Sequence, residues 1–256
     1  MLAYHNDPAI KSKLLADLQA HADADRLVKG QYWENGKGCA VGCTLHSLGA
    51  AGAASNHSEY ETRLGIPQIL ARLEDTIFEG LPNTDAMQWP MRFSAAIATG
   101  ADLSRVGWQW LHWLLTDGLP RVNDASVNAA IKQCADVLLP LMRGEPVDRA
   151  AAYAAADAAR AASLAARAAV YADYSDHAAA DAAYAARAAA DAARAGRAAA
   201  DAARAGRAAA DAARAGWAAA DAADHAADHA AVDAAAYAAA YQRMADKLVQ
   251  LLEDAK

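Results

Sequence analysis

The sequence predicts an all-α protein: a globular helical N-terminal domain followed by long Ala-rich packed helices. Three observations carry this. Apolar residues recur at spacings of three and four through the first half of the chain, and no stretch alternates with the period of two that a strand requires. From about residue 147, alanine, the strongest helix former, dominates. The domain division follows this change in texture: a globular helical domain over 1–146, an Ala/Asp/Arg-rich helical repeat region over 147–242, and an amphipathic C-terminal docking helix over 243–256.

Each element has its own signal. Asp7-Pro8 reads as an N-cap followed by proline in the first turn, with Ile10, Leu14, Leu18 and Leu27 near helical spacing behind it. The loop "KGQYWENGKG" ends that helix, and a second runs from about Gly38 to Leu48. In "YETRLGIPQILARLEDTIFEGLP", Ile66, Ile69, Leu70, Leu73, Ile77 and Leu81 form an apolar stripe, and Pro67 suits a helix start. Further helices are expected over roughly 84–98, 101–116 and 124–142, the last carrying Val127, Ile131, Val137, Leu138 and Leu141.

The repeat region contains "RAAADAARAG" three times in succession from Arg187. Its Asp and Arg residues fall three and four apart, which places opposite charges on neighbouring turns. A ten-residue period drifts by roughly 80° per repeat around a straight helix, and one unbroken helix over 147–242 would reach about 140 Å. The tail is therefore expected to fold back on itself or to pair with another chain. Gly196, Gly206 and Gly216, or the segment "YADYSDH", are the natural bends. Met244, Leu248, Leu251 and Leu252 in the closing helix form an apolar face that needs a partner.

Composition excludes several classes. The formal net charge of -7 is mild and Asp alternates with Arg, so no nucleic-acid-binding patch is indicated. No window offers about twenty uninterrupted apolar residues, and "MLAYHNDPAIKSK" lacks an apolar leader, so a membrane span is not expected. Three cysteines, an odd number, fit a reducing cytoplasmic setting better than a disulfide framework. No residue pattern identifies a cofactor.

The strongest chemical candidate is "YWENGKGCAVGCTLHS". On a helix, Cys39, Gly42, Cys43 and His46 share a face. Cys39 falls in the first turn, where free N–H groups and the helix dipole favour a thiolate, and Lys37 pushes the same way. This gives a candidate nucleophile, Cys39, with His46 as base and Glu34 as orienting carboxylate. Trp33, Lys37 and Cys43 would line the same pocket. The competing reading is packing: Gly38 and Gly42 form a small-xxx-small pair that lets another helix approach, and cysteine behaves as a small buried hydrophobe. A zinc site would need a fourth ligand that the spacing does not announce, so no metal is expected.

Two weaker candidates remain. "VGWQWLHWLL" leaves Trp108 or His112 for a pocket or interface while Trp110, Trp113 and Leu114 face the core. In "DAADHAADHAAVD", His225 and His229 lie one turn apart beside Asp221 and Asp228, a spacing that chelates zinc but also follows from the polar stripe of the repeat.

By "GKGCAVGCTLHS" and the later "YETRLGIPQILARLEDTIFEGLP", the chain resembles an uncharacterised family of bacterial and phage proteins. There, a Gly-Cys-x-x-Gly-Cys segment precedes a Leu-Gly-Ile-Pro helix and, in some members, an Ala-rich tail closed by an "ADKLVQLL"-like helix. The resemblance covers about residues 28 to 83 and the tail by texture. It implies a recurring module and no catalytic role.

Two functional expectations follow. The first is a non-enzymatic binding or interaction protein whose Ala-rich helices build a homo-oligomer or a protein-partner surface. The alternative is a cysteine-dependent hydrolase or acyl transferase using Cys39 with His46, or a small-ligand sponge using the same pocket.

Overall fold

The computed structural model describes residues 1–50, 52, 55–119, 124–172, 183, 185–191, 194, 214, 215, 218 and 230–255. Among these the chain is all-α, with isolated bridges such as Leu27 to Gly38 but no strand. The helices are α1 (Pro8–Asp23), α2 (Ala40–Ser47), α3 (Glu59–Leu64), α4 (Gln68–Gly80), α5 (Asn83–Ala96), α6 (Val106–Trp113), α7 (Ala125–Arg143), α8 (Arg149–Ala172) and α9 (Ala230–Asp254). None of them is long and apolar enough to cross a membrane. The chain divides into two compact units, Met1–Val106 with Ala245–Lys256, and Gly107–Met244.

In the first unit, α1 starts where the sequence places it: Asp7 Oδ1 accepts the Ala9 N–H at 2.8 Å, and Pro8 occupies the first helical position. Its Leu14 and Leu18 are buried, and it packs against α2 and α5. The apolar stripe that begins at Ile66 is preceded by a separate short helix, α3, and the reason is Gly65. Its φ of 63° ends α3, and a Cβ there would lie 2.1 Å from the Leu2 carbonyl oxygen. Beyond the break, α4 buries Leu70, Leu73, Ile77 and Phe78 and packs against α2, α3 and α5. Each such side chain stabilises by about 1.5–3 kcal/mol. Residues from Ala245 onward belong to this unit, with Leu248 and Leu252 fully buried.

In the second unit, α6 stops at Trp113 and the chain continues as a π-helical turn over Leu114–Gly118. The Trp110 indole N–H donates to the Met244 carbonyl at 3.1 Å. α7 is capped by Asp124, whose carboxylate accepts the Ser126 and Val127 N–H groups, and ends at Gly144 with a φ of 74°. Its buried face of Val127, Ile131, Cys134 and Leu138 packs along α8, where Ala152, Ala155 and Ala159 are buried. The composition change near residue 147 therefore falls inside this unit, because the apolar face of α7 is covered by the alanines of α8. Farther on, Ala185, Ala186, Ala188, Ala189 and Ala190 are at most 1% exposed within a single chain. Asp191 is buried beside them and paired with Arg194. The candidate bends at 171–177 extend beyond the described residues, and Gly196, Gly206 and Gly216 lie outside them.

Candidate functional site

The site is assembled around the loop between α1 and α2. That loop runs out and back: Val28 N–H donates to Gly38 O and Gly38 N–H to Arg26 O, both at 2.9 Å, while Glu34 and Lys37 exchange backbone hydrogen bonds at its exposed tip. Asn35 and Gly36 turn the tip with φ of 52° and 79°. The return is tight, since a Cβ at Gly38 or Gly42 would stand 1.9 or 1.4 Å from the Tyr32 carbonyl oxygen. The small-xxx-small pair thus admits a loop backbone and not, as its spacing suggested, another helix.

Cys39 is the N-cap of α2 and not a residue of its first turn; its Sγ accepts the Gly42 N–H at 3.4 Å. It is 1% exposed, and its thiol donates to Asp75 Oδ1 at 3.4 Å. Asp75 lies on α4 with Glu79 one turn later. The other Asp75 oxygen accepts the Tyr32 hydroxyl at 3.2 Å and faces His57 Nε2 at 3.0 Å. His57 is fully buried; its Nδ1 sits 3.1 Å from the Ser55 carbonyl, and the Tyr32 ring meets its imidazole edge-on at 5.7 Å. Glu79 accepts the Gly30 N–H with both carboxylate oxygens, at 3.0 and 3.1 Å. Among the described residues, Cys39, Asp75 and Glu79 bring one ligand atom each within 4.8 Å of one another.

Electrostatics reverse the thiolate expected at Cys39. Burial pushes the thiol far above its ordinary range, and the Asp75 carboxylate adds to this more than the Gly42 N–H subtracts, with Glu79 adding further. The helix terminus is present, but desolvation and two carboxylates outweigh it. Burial first, then Asp75, pushes the Tyr32 hydroxyl up to about 12. Glu79 is raised by burial, against the Gly30 N–H and Lys29, which pull it down. Next to Asp75 in sequence, Glu74 is fully buried, and burial raises it to about 8 although the Tyr60 hydroxyl donates to it at 2.7 Å.

The other residues marked by the sequence separate into different places. Cys43 is buried with its sulfur 3.4 Å from the Gly38 carbonyl, and burial raises its thiol to about 12. All three cysteines are free thiols. His46 stacks on Trp33, with ring centroids 3.9 Å apart and planes 12° from parallel, and lies beside His21 at 5.6 Å. The hydrogen-bond partners of the Cys39 sulfur are instead the Gly42 N–H, which donates to it, and the Asp75 carboxylate, which accepts from it. Glu34 and Lys37 are exposed at the loop tip. Trp108 and His112 belong to the second unit, where His112 lines an open groove of about 360 Å³ with Leu115, Thr116, Ile131 and Lys132. His225, His229, Asp221 and Asp228 lie outside the described residues.

Asp75, Glu79, His57 and Tyr32 were not singled out from the sequence. The available signal was the pair of carboxylates four apart in "LEDTIFE", Asp75 and Glu79, which share one side of an amphipathic helix. Comparison with protein-family models, curated proteins and solved structures finds no match.

Proposed function

We propose that the first unit is a metal-binding module that takes a divalent transition-metal cation on Cys39 Sγ and the carboxylates of Asp75 and Glu79. The convergence of these three ligand atoms within 4.8 Å carries the reading. Charge supports it over the cysteine-nucleophile reading. A thiolate formed at Cys39 would sit, desolvated, beside two carboxylates, and both oppose it. A divalent cation bound there would outweigh these contributions by its own attraction, favouring the thiolate and keeping the carboxylates ionised.

The donor set favours zinc among common ions, since thiolate with carboxylate suits a borderline-soft cation and disfavours magnesium or calcium. Three protein ligands leave one position of a tetrahedral ion for water or a substrate atom. His57 and Tyr32 hold Asp75 from behind, the place of an outer-shell partner that orients a ligand. The Ala-rich repeat does not enter this reading, and its alanines at 185–190 need no second copy of the chain to cover them.

Calorimetric titration of the chelator-treated full chain with zinc tests the proposal. One equivalent should bind, and Cys39→Ser and Asp75→Asn should each weaken binding by at least about tenfold to a hundredfold. Zinc binding that both variants leave unchanged would overturn it.

A further inference from the structure

We propose that His21, packed against Trp33 and His46, is a proton-operated latch that holds the 29–38 loop in place and releases it on acidification. The three rings form one cluster: Trp33 stacks on His46 at 3.9 Å, His21 meets the Trp33 ring edge-on at 5.4 Å, and the two imidazoles lie 5.6 Å apart. His21 comes from the last turn of α1 and His46 from the last turn of α2, so the loop is gripped between the ends of two helices.

The grip suits a neutral His21 ring. His21 is 4% exposed; its Nε2 reaches Ser47 Oγ at 3.0 Å, while its Nδ1 is buried with no hydrogen-bond partner. His46 Nδ1 is likewise buried and unpartnered. An imidazolium carries two N–H donors, and the pocket offers His21 an acceptor for only one, whichever tautomer it starts from. The second would be a buried unsatisfied donor on a charged ring. The groups facing His21 agree: burial lowers its proton affinity most, then His46 and Arg26, against Asp17 alone, whose carboxylate is tied to Lys13.

A protonated His21 must therefore reach water, and Trp33 packs against it. Trp33 sits in the loop whose Tyr32 hydroxyl binds Asp75 and whose Gly30 N–H binds Glu79. Release of the latch thus uncovers the two carboxylates, and the loop's opening is coupled to proton uptake whether or not a metal occupies them. If the open state restores His21 to an ordinary value near 6.5, acidification from pH 7.5 to about pH 5.5 favours opening, by up to about tenfold when the closed ring stays neutral throughout.

Hydrogen exchange of peptides covering 29–38, corrected for the intrinsic pH dependence of exchange, reads this directly. In the metal-free wild-type chain, protection should fall between pH 7.5 and pH 5.5, by up to about tenfold. In His21→Phe, and in His21→Gln as a second non-titrating variant, protection should be the same at both values. Equal wild-type protection at the two pH values, or the same fall in a folded His21 variant, would overturn the latch.

Discussion

Glu74 offers a sharp test of the electrostatics of the first unit. Its side chain is fully buried; Oε2 accepts the Tyr60 hydroxyl at 2.7 Å, while Oε1 has no partner. Burial above all raises this carboxyl from 4.5 to about 8, so it is a neutral acid at pH 7. The folded chain therefore keeps a proton that the unfolded chain releases above about pH 4.5. The resulting stabilisation is complete below that value and is lost as pH rises toward 8, at about 1.4 kcal/mol per pH unit or about 5 kcal/mol in all. Glu74→Gln preserves the shape and an acceptor for Tyr60 but cannot ionise. In urea denaturation at fixed ionic strength, the wild-type stability minus that of the variant should fall by about 1.3 kcal/mol per unit between about pH 5.5 and 7 and level off above about pH 8. Other titrating groups, His21 included, cancel in that difference. Parallel stability curves, or a difference that grows with pH, would refute the assignment of a neutral buried acid.

Further expectations follow from single contacts. Gly42→Ala puts a methyl group 1.4 Å from the Tyr32 carbonyl oxygen, which is backbone and cannot swing aside. It should cost about 3 kcal/mol or more in denaturant unfolding; a loss below about 0.5 kcal/mol would contradict the close approach. Cys39, buried and held protonated, should react with a thiol reagent at neutral pH on the order of a hundredfold more slowly in the native apo chain than in the urea-unfolded chain. Labelling faster than in the unfolded chain would restore the nucleophile reading.

The helical architecture was legible because it is written locally. Asp7 and Pro8 announce α1, and the apolar stripe of α4 stands out by its spacing alone. The site was legible on one side only. Gly38, Cys39, Gly42 and Cys43 marked a place where small residues matter, but spacing cannot say what approaches them; the answer is the Tyr32 carbonyl. Cys39 and Asp75 are 36 residues apart, so their hydrogen bond depends on the packing of α2 against α4 and leaves no periodic trace. His46 shares a helix face with Cys39 in projection, yet its ring is claimed by Trp33 from the loop. The unit boundary was obscured for a related reason: composition changes sharply near residue 147, whereas packing joins α7 to α8 across that point.

The measurement that bears most directly on the metal centre is an anaerobic titration of the chelator-treated chain with cobalt(II), followed by absorption. Cobalt takes zinc's place and reports each bond it makes to sulfur as a thiolate charge-transfer band. The expected result is one equivalent bound with such a band, lost in Cys39→Ser and weakened in Asp75→Asn and Glu79→Gln. Cobalt bound with no thiolate band, or a band that survives in Cys39→Ser, would contradict the assignment of Cys39, Asp75 and Glu79 as the ligands.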